Sequence, residues 1–139
     1  MIPSLALQQA VRARLLADPF ISASVLPERI RAGDRRPSEF PSIILSPART
    51  EILGRAAGGQ IVAEVSAMLH VWADADGSGT GEGIAAGVFM ALIDAPEAEG
   101  FEIDEWQRPH LTWVDQAGAV ANASFGTVAL RATIRWRDQ

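Results

Sequence analysis

Two runs of this sequence alternate so regularly that they constrain the fold more than any other feature. From Ile61 to Ala73, the residues Ile61, Ala63, Val65, Ala67, Leu69, Val71 and Ala73 share one face, and Val62, Glu64, Ser66, Met68, His70 and Trp72 share the other. Near the C-terminus Val128, Leu130, Ala132, Ile134 and Trp136 oppose Thr127, Ala129, Arg131, Thr133, Arg135 and Arg137. A period of two is extended chain with one face on a core. Buried parallel strands would read as continuous apolar runs, so half-polar strands point to an antiparallel sheet covered on one side.

The cover comes from two helices. Leu5 to Ala17 carries Leu7, Val11 and Leu15 on one stripe with Ala10 beside it, and Ser4 is the expected N-cap. Pro19 ends this helix, because the residue before proline avoids helical angles. Glu82 to Ala95 carries Ile84, Val88 and Leu92 as a central stripe, widened by Ala85, Phe89 and Ile93, and Pro96 closes it. Between the helices, Ile21 to Pro41 is rich in turn formers and charge and reads as a surface connection. Ser42 to Ser46 is a short strand that Pro47 should stop. Ala48 to Gln60, with Gly54, Gly58 and Gly59, reads as a long mobile hairpin arm outside the fold proper. Phe101 to Gln107 and His110 to Asp115 are two short strand candidates broken by Pro109. The order α-β-β-α-β-β predicts an α/β fold of the α+β type: one domain over residues 1–139, with an antiparallel sheet, two helices on one face and a hairpin arm.

A chain of 139 residues can bury a core without staples, and it has no cysteine, which removes disulfides and thiolate metal sites. Twelve Lys plus Arg against 17 Asp plus Glu leave a net charge of -5, the wrong sign for a general nucleic-acid binder. The longest uncharged apolar run, Gly83 to Ile93, falls well short of the roughly 18 residues of a membrane span. No basic region precedes the first apolar residues, so a cytosolic chain without membrane contact is expected.

No motif carries convincing chemistry. Asp74-Ala-Asp76-Gly-Ser-Gly79 imitates the start of a calcium loop, but the twelfth position, where a bidentate glutamate belongs, is Ala85. Gly81-Glu-Gly83-Ile-Ala-Ala86 matches a dinucleotide fingerprint, yet the preceding strand alternates and the intervening loop is too long for the tight turn. His70 and His110 lie far apart in sequence, and a metal site needs three or four convergent ligands. The acidic run Glu97, Glu99, Glu102, Asp104 and Glu105 reads as a solvated edge. No catalytic residue, cofactor or metal is therefore expected.

The aromatic residues say more. Trp72 shares the second face with Val62 and Met68. Trp106 alternates with Glu102 and Asp104, opposite Phe101 and Ile103. Large aromatics on a nominal solvent face mark either a protein–protein surface or cover by a loop. On the arm, Arg49, Glu51 and Arg55 offer charge, and Ile52 and Leu53 a small apolar anchor. With Trp72, Trp106 and Trp113 they form the expected protein interface.

Several segments together resemble the tail terminator, or tail completion, family of long-tailed phages and gene transfer agents. They are Leu5 to Asp18, Arg29-Ile30, Phe40 to Ser46, Leu69-His70-Val71-Trp72 before the Gly/Ser loop, the helix Gly83 to Leu92 and the last strand Gly126 to Arg137. The glycines of Gly77 to Gly83 depart from the usual helix lead-in. The resemblance implies a structural protein made in the bacterial cytoplasm and placed at the head–tail junction. It implies a homohexameric ring that caps the tail tube protein, ends tube growth and joins a head-side connector (stopper), with DNA passing through the lumen without specific binding. The alternatives are another connector ring, adaptor or stopper, a tail tube subunit and, more remotely, a small-molecule enzyme built around the Gly81 loop.

Overall fold

In the computed structural model, which describes residues 2–33, 37, 39–74, 79–114 and 123–137, the two alternating runs lie side by side. They are β3 (Gln60–Asp74) and β5 (Ala123–Arg137), antiparallel and in unbroken register from Gln60 opposite Arg137 to Asp74 opposite Ala123. Their apolar faces coincide, so Val65, Leu69 and Val71 meet Val128, Leu130 and Ile134 in one buried layer. Helix α1 (Pro3–Ala17) brings Leu7, Val11 and Leu15 onto that layer. Helix α3 (Thr80–Ala91) adds Ile84 and Val88, and Leu92 follows just beyond its end. Each such side chain, fully removed from water, contributes on the order of 1.5–3 kcal/mol before entropy is counted.

Helix α1 begins differently from expectation. Pro3, with its φ already set for a helix, opens the first turn, Ile2 holds the cap position, and Ser4 lies inside the helix. Asp18 then caps a second helix, α2 (Pro19–Ser24), by accepting from the N–H groups of Phe20 (3.0 Å) and Ile21 (3.1 Å). The supposed surface connection therefore contains structure: the end of α2, a 3-10 turn at Pro27–Arg29 and the short strand β1 (Ile30–Ala32). Ile21, Val25 and Ile30 point from it into the core. Strand β1 runs parallel to β2 (Ser42–Ala56), so the sheet is mixed rather than wholly antiparallel, in the order β1-β2-β3-β5-β4 with β4 at Glu102–Val114.

Pro47 does not end its strand. Strand β2 spans Ser42–Ala56 and pairs with β3 along its length, with irregularities between Pro47 and Arg49 and between Ile52 and Gly54. A proline is tolerated there because β1 pairs only with Ile43–Leu45 and leaves the outer half of β2 as a free edge. Gly58 and Gly59, at φ 78° and 77°, make the left-handed turn that returns the chain into β3. The hairpin arm exists, but it is the outer part of the sheet and not a segment apart from the fold. Strand β4 (Glu102–Val114) joins the two candidates on either side of Pro109 into one edge strand, with a bulge at the proline and another at Asp104.

Candidate interaction surface

Among the described residues no three His, Asp or Glu side chains come together as a metal site. His70 lies on the open face, its Nδ1 3.2 Å from Thr127 Oγ1, and partial burial lowers its pKa. His110 is exposed on β4. Asp74 is exposed, and residues 75–78 of the calcium-like loop lie outside the described residues; Gly79, left-handed at φ 76°, precedes α3. One cleft of about 170 Å³ lies beside the Arg29–Glu39 ion pair. Another of about 270 Å³ lies beside Glu64 and Arg131, 3.6 Å apart. Both are smaller than the ~300 Å³ at which small-molecule sites begin.

What remains is surface. The helices cover one face of the sheet, and the other divides into two halves. Over one half, Gly33 and Phe40 lie against the sheet. Gly33 N donates to Leu45 O (3.0 Å), Ser46 Oγ to Gly33 O (2.7 Å) and Ser42 Oγ to Glu39 O (2.6 Å). The Phe40 ring stacks on Trp72, with centroids 6.1 Å apart and planes 5° from parallel. Trp72 stands on the second face as expected and is partly covered by its own chain, the loop-cover reading of the two. Ile44 is buried beneath the same segment although it faces away from the helices.

Trp106 lies on the other face from the one its alternation predicts. The bulge at Asp104 resets the alternation of β4, so that Glu105 pairs with Thr133 and Trp106 with Ala132 on the core side. Trp106 packs against the core, and its Nε1–H donates to Leu92 O at 2.9 Å. Trp113 falls on β4 opposite Gly126, and its side chain lies outside the described residues. Trp136, expected on the core face, is partly buried there beside Phe101, with centroids 5.9 Å apart.

The other five expected interface residues stay together. Every residue from Pro47 to Arg55 is exposed, including the Arg49–Glu51 ion pair (3.0 Å) and Arg55. Ile52 and Leu53 are 60% and 53% exposed, on a stretch that no helix covers. The outer half of β2 therefore presents an apolar pair set among charges at a free strand edge. On the open face beneath it, Arg135 grips Asp104 with Nε (2.9 Å) and Nη2 (3.1 Å) and donates from Nη1 to Gln60 Oε1 (2.8 Å), tying three strands together. The hydrogen bond from Arg135 is the first cause of a lowered Asp104 pKa.

A second apolar patch escapes the sequence reading. Ala86, Met90 and Ile93 follow helical spacing on the outside of α3, with Met90 69% and Ile93 44% exposed. Helical spacing places Ile93 beside the buried stripe, but it lies just past the last helical turn, where the chain has already left the helix axis. The signal that could have revealed the patch is a second stripe at i, i+4, i+7 beside that of Ile84, Val88 and Leu92. Phe20 of α2, 52% exposed, lies across α3 at Gly87 and extends the patch. The chain beyond α3 is held firmly. Arg14 Nη1 donates to Ala91 O (3.1 Å) and Nη2 to Ala95 O (3.0 Å), while Trp106 holds Leu92 O.

The chain matches a solved chain of the structure described as the virion of a native gene transfer agent (GTA) particle. The TM-score is 0.67 at 20% identity, over 97% of this chain and 99% of that one. At that identity the likeness establishes the shared fold. No curated protein matches. The family model for tail completion protein gp17 matches residues 9–134, nearly the whole length from α1 to β5, and the chain belongs to that family of phage-tail structural proteins.

Proposed function

We propose that this chain is the subunit of a tail terminator: a ring that caps the completed tail tube, stops its growth and joins it to the head-side connector. The observation that carries this reading is the family match over residues 9–134. The surface agrees with it. A small sheet with apolar patches on two separate regions suits a subunit whose neighbours complete it, and a heterologous contact that closes gives a ring. The acidic balance, -5 overall, suits a lumen along which DNA slides without sticking. A structural tail completion family suits a protein that works by binding and position. Its partners are further copies of itself, the tube protein and the connector.

Deleting the gene from a particle-producing strain tests this. Tails of uncontrolled length, or tails and heads that fail to join, are expected, with rescue by the intact chain. Normal particles in its absence refute the reading. Indefinite tubes formed by the purified chain would identify a tube subunit instead.

A further inference from the structure

We propose that the apolar outer face of α3 receives the β2–β3 hairpin of a second copy of this chain. This rests on the ring reading above and specifies the contact that would build the ring. The occupant is argued from chemical complementarity between two surfaces of one molecule. The hairpin presents Ile52 and Leu53, both more than half exposed, flanked by Arg55 and by Arg137, whose guanidinium lies close to Gly58 at the turn. Among the described residues neither arginine meets a carboxylate. The α3 face presents Met90 and Ile93, followed at once by exposed Glu97 and Glu99. One surface pairs an apolar anchor with positive charge, and the other pairs an apolar seat with negative charge.

The two cannot meet within one molecule. The hairpin lies on the β2 side of the sheet, and α3 runs over β3 and β5 toward the β4 edge. Three strand spacings, about 14 Å, separate β2 from β4. Between copies the geometry works. The hairpin turn pairs toward Arg137, and β4 begins opposite Arg135, so both surfaces lie at the same end of the strands. A step from one copy to the next is then mainly sideways, as a ring requires. The seat is also rigid, since Arg14 and Trp106 fix the carbonyls on either side of Ile93.

Because the chain has no cysteine, the contact can be tested by adding two. Under mild oxidation the concentrated full-length Leu53→Cys/Ile93→Cys protein should give a ladder of covalent oligomers, because every copy offers one partner to each neighbour. The control Leu53→Cys/Thr112→Cys, with its second cysteine exposed on the opposite face, should give at least ten-fold less. Adding Arg55→Glu/Arg137→Glu to the first pair should suppress the ladder, and further adding Glu97→Arg/Glu99→Arg should restore it. A ladder no stronger than the control, or one indifferent to the charge changes, overturns the contact. Sedimentation of the unmodified chain separates the two failures. Oligomers without the ladder leave the ring standing on another contact, whereas a monomer at every concentration and in assembled tails removes both.

Discussion

Arg14 offers a measurable test of how the far end of α3 is built. The last carbonyls of a helix lack partners in their own helix. Here Arg14, from the last turn of α1, supplies them: Nη1 donates to Ala91 O (3.1 Å), with a long contact to Asp94 O (3.5 Å), and Nη2 donates to Ala95 O (3.0 Å). Replacing it with methionine keeps the apolar stem and removes the charge and its donors. A charge-assisted hydrogen bond contributes roughly 1.5–3 kcal/mol, and a cation at a helix C-terminus roughly 0.3–1 kcal/mol. Arg14 is only part-buried, so water replaces some of what is lost, and about 2 kcal/mol is a reasonable net cost. Unfolding entropy of about 2.1 cal/mol/K per residue makes that a fall in Tm of roughly 7 °C for a chain this long. Thermal unfolding by circular dichroism reads it directly. Arg14→Lys should fall between, since a point charge cannot fork across two carbonyls. Arg49→Met, on the exposed outer half of β2, should leave Tm unchanged. An Arg14→Met protein that melts within a degree of wild type would refute the argument, because the carbonyls would then be satisfied equally well by water.

Two further predictions concern pairs. Asp104→Asn should lower stability slightly at neutral pH, because the folded-state pKa of Asp104 lies below its unfolded value, chiefly through the hydrogen bond from Arg135. That contribution is full above the unfolded carboxylate pKa and is lost as pH falls through the folded one, so the gap between the Asp104→Asn protein and wild type should close in acid; a gap independent of pH counts against the pair. At Gly87, an added Cβ would lie 2.8 Å from Phe20 Cδ1, although alanine favours the helix by about 1 kcal/mol over glycine. Gly87→Ala should therefore stabilise the Phe20→Ala background more than wild type in a denaturant double-mutant cycle, and equal effects would mean that the Phe20 ring swings aside freely.

The parts of the fold legible in the sequence were those written in periodicity. Strands β3 and β5 and the stripes of α1 and α3 were clear because one buried face imposes its spacing on ten or more residues. Strand β1 was invisible because three residues carry no period, and α2 because its signal is an aspartate cap followed by proline in a stretch rich in turn formers. Pro47 and Pro109 misled for a common reason. A proline breaks a strand only where a neighbour needs its N–H, and which strand is an edge is a property of the sheet, not of the local sequence. Bulges have the same character. Asp104 looks like any polar residue in an alternating run, yet the extra residue turns Trp106 from the open face to the core. The exposure of the arm from Arg49 to Arg55 is legible because glycine, charge and an isolated apolar pair coincide there. The outside of α3 is not, because Met90 and Ile93 look like core until the position of the helix is known.

Edge strands also bear on how this molecule associates. An uninterrupted free edge invites any other strand to pair with it, and natural sheets block this with proline, bulges and charge. Beside the three-residue edge strand β1, two longer open edges carry these features. The outer half of β2 has Pro47, two irregularities and the charges of Arg49, Glu51 and Arg55, and β4 has Pro109, two bulges and Glu102, Asp104 and Glu105. Backbone pairing between copies is thereby discouraged at both edges. Association is left to side chains, whose shape and charge distinguish one surface from another where a ladder of N–H and C=O groups would not. For the terminator role proposed above, that selectivity would matter more than strength. An open edge would let the sheet grow, whereas a contact between unlike patches of side chains would be exhausted once the proposed ring had closed.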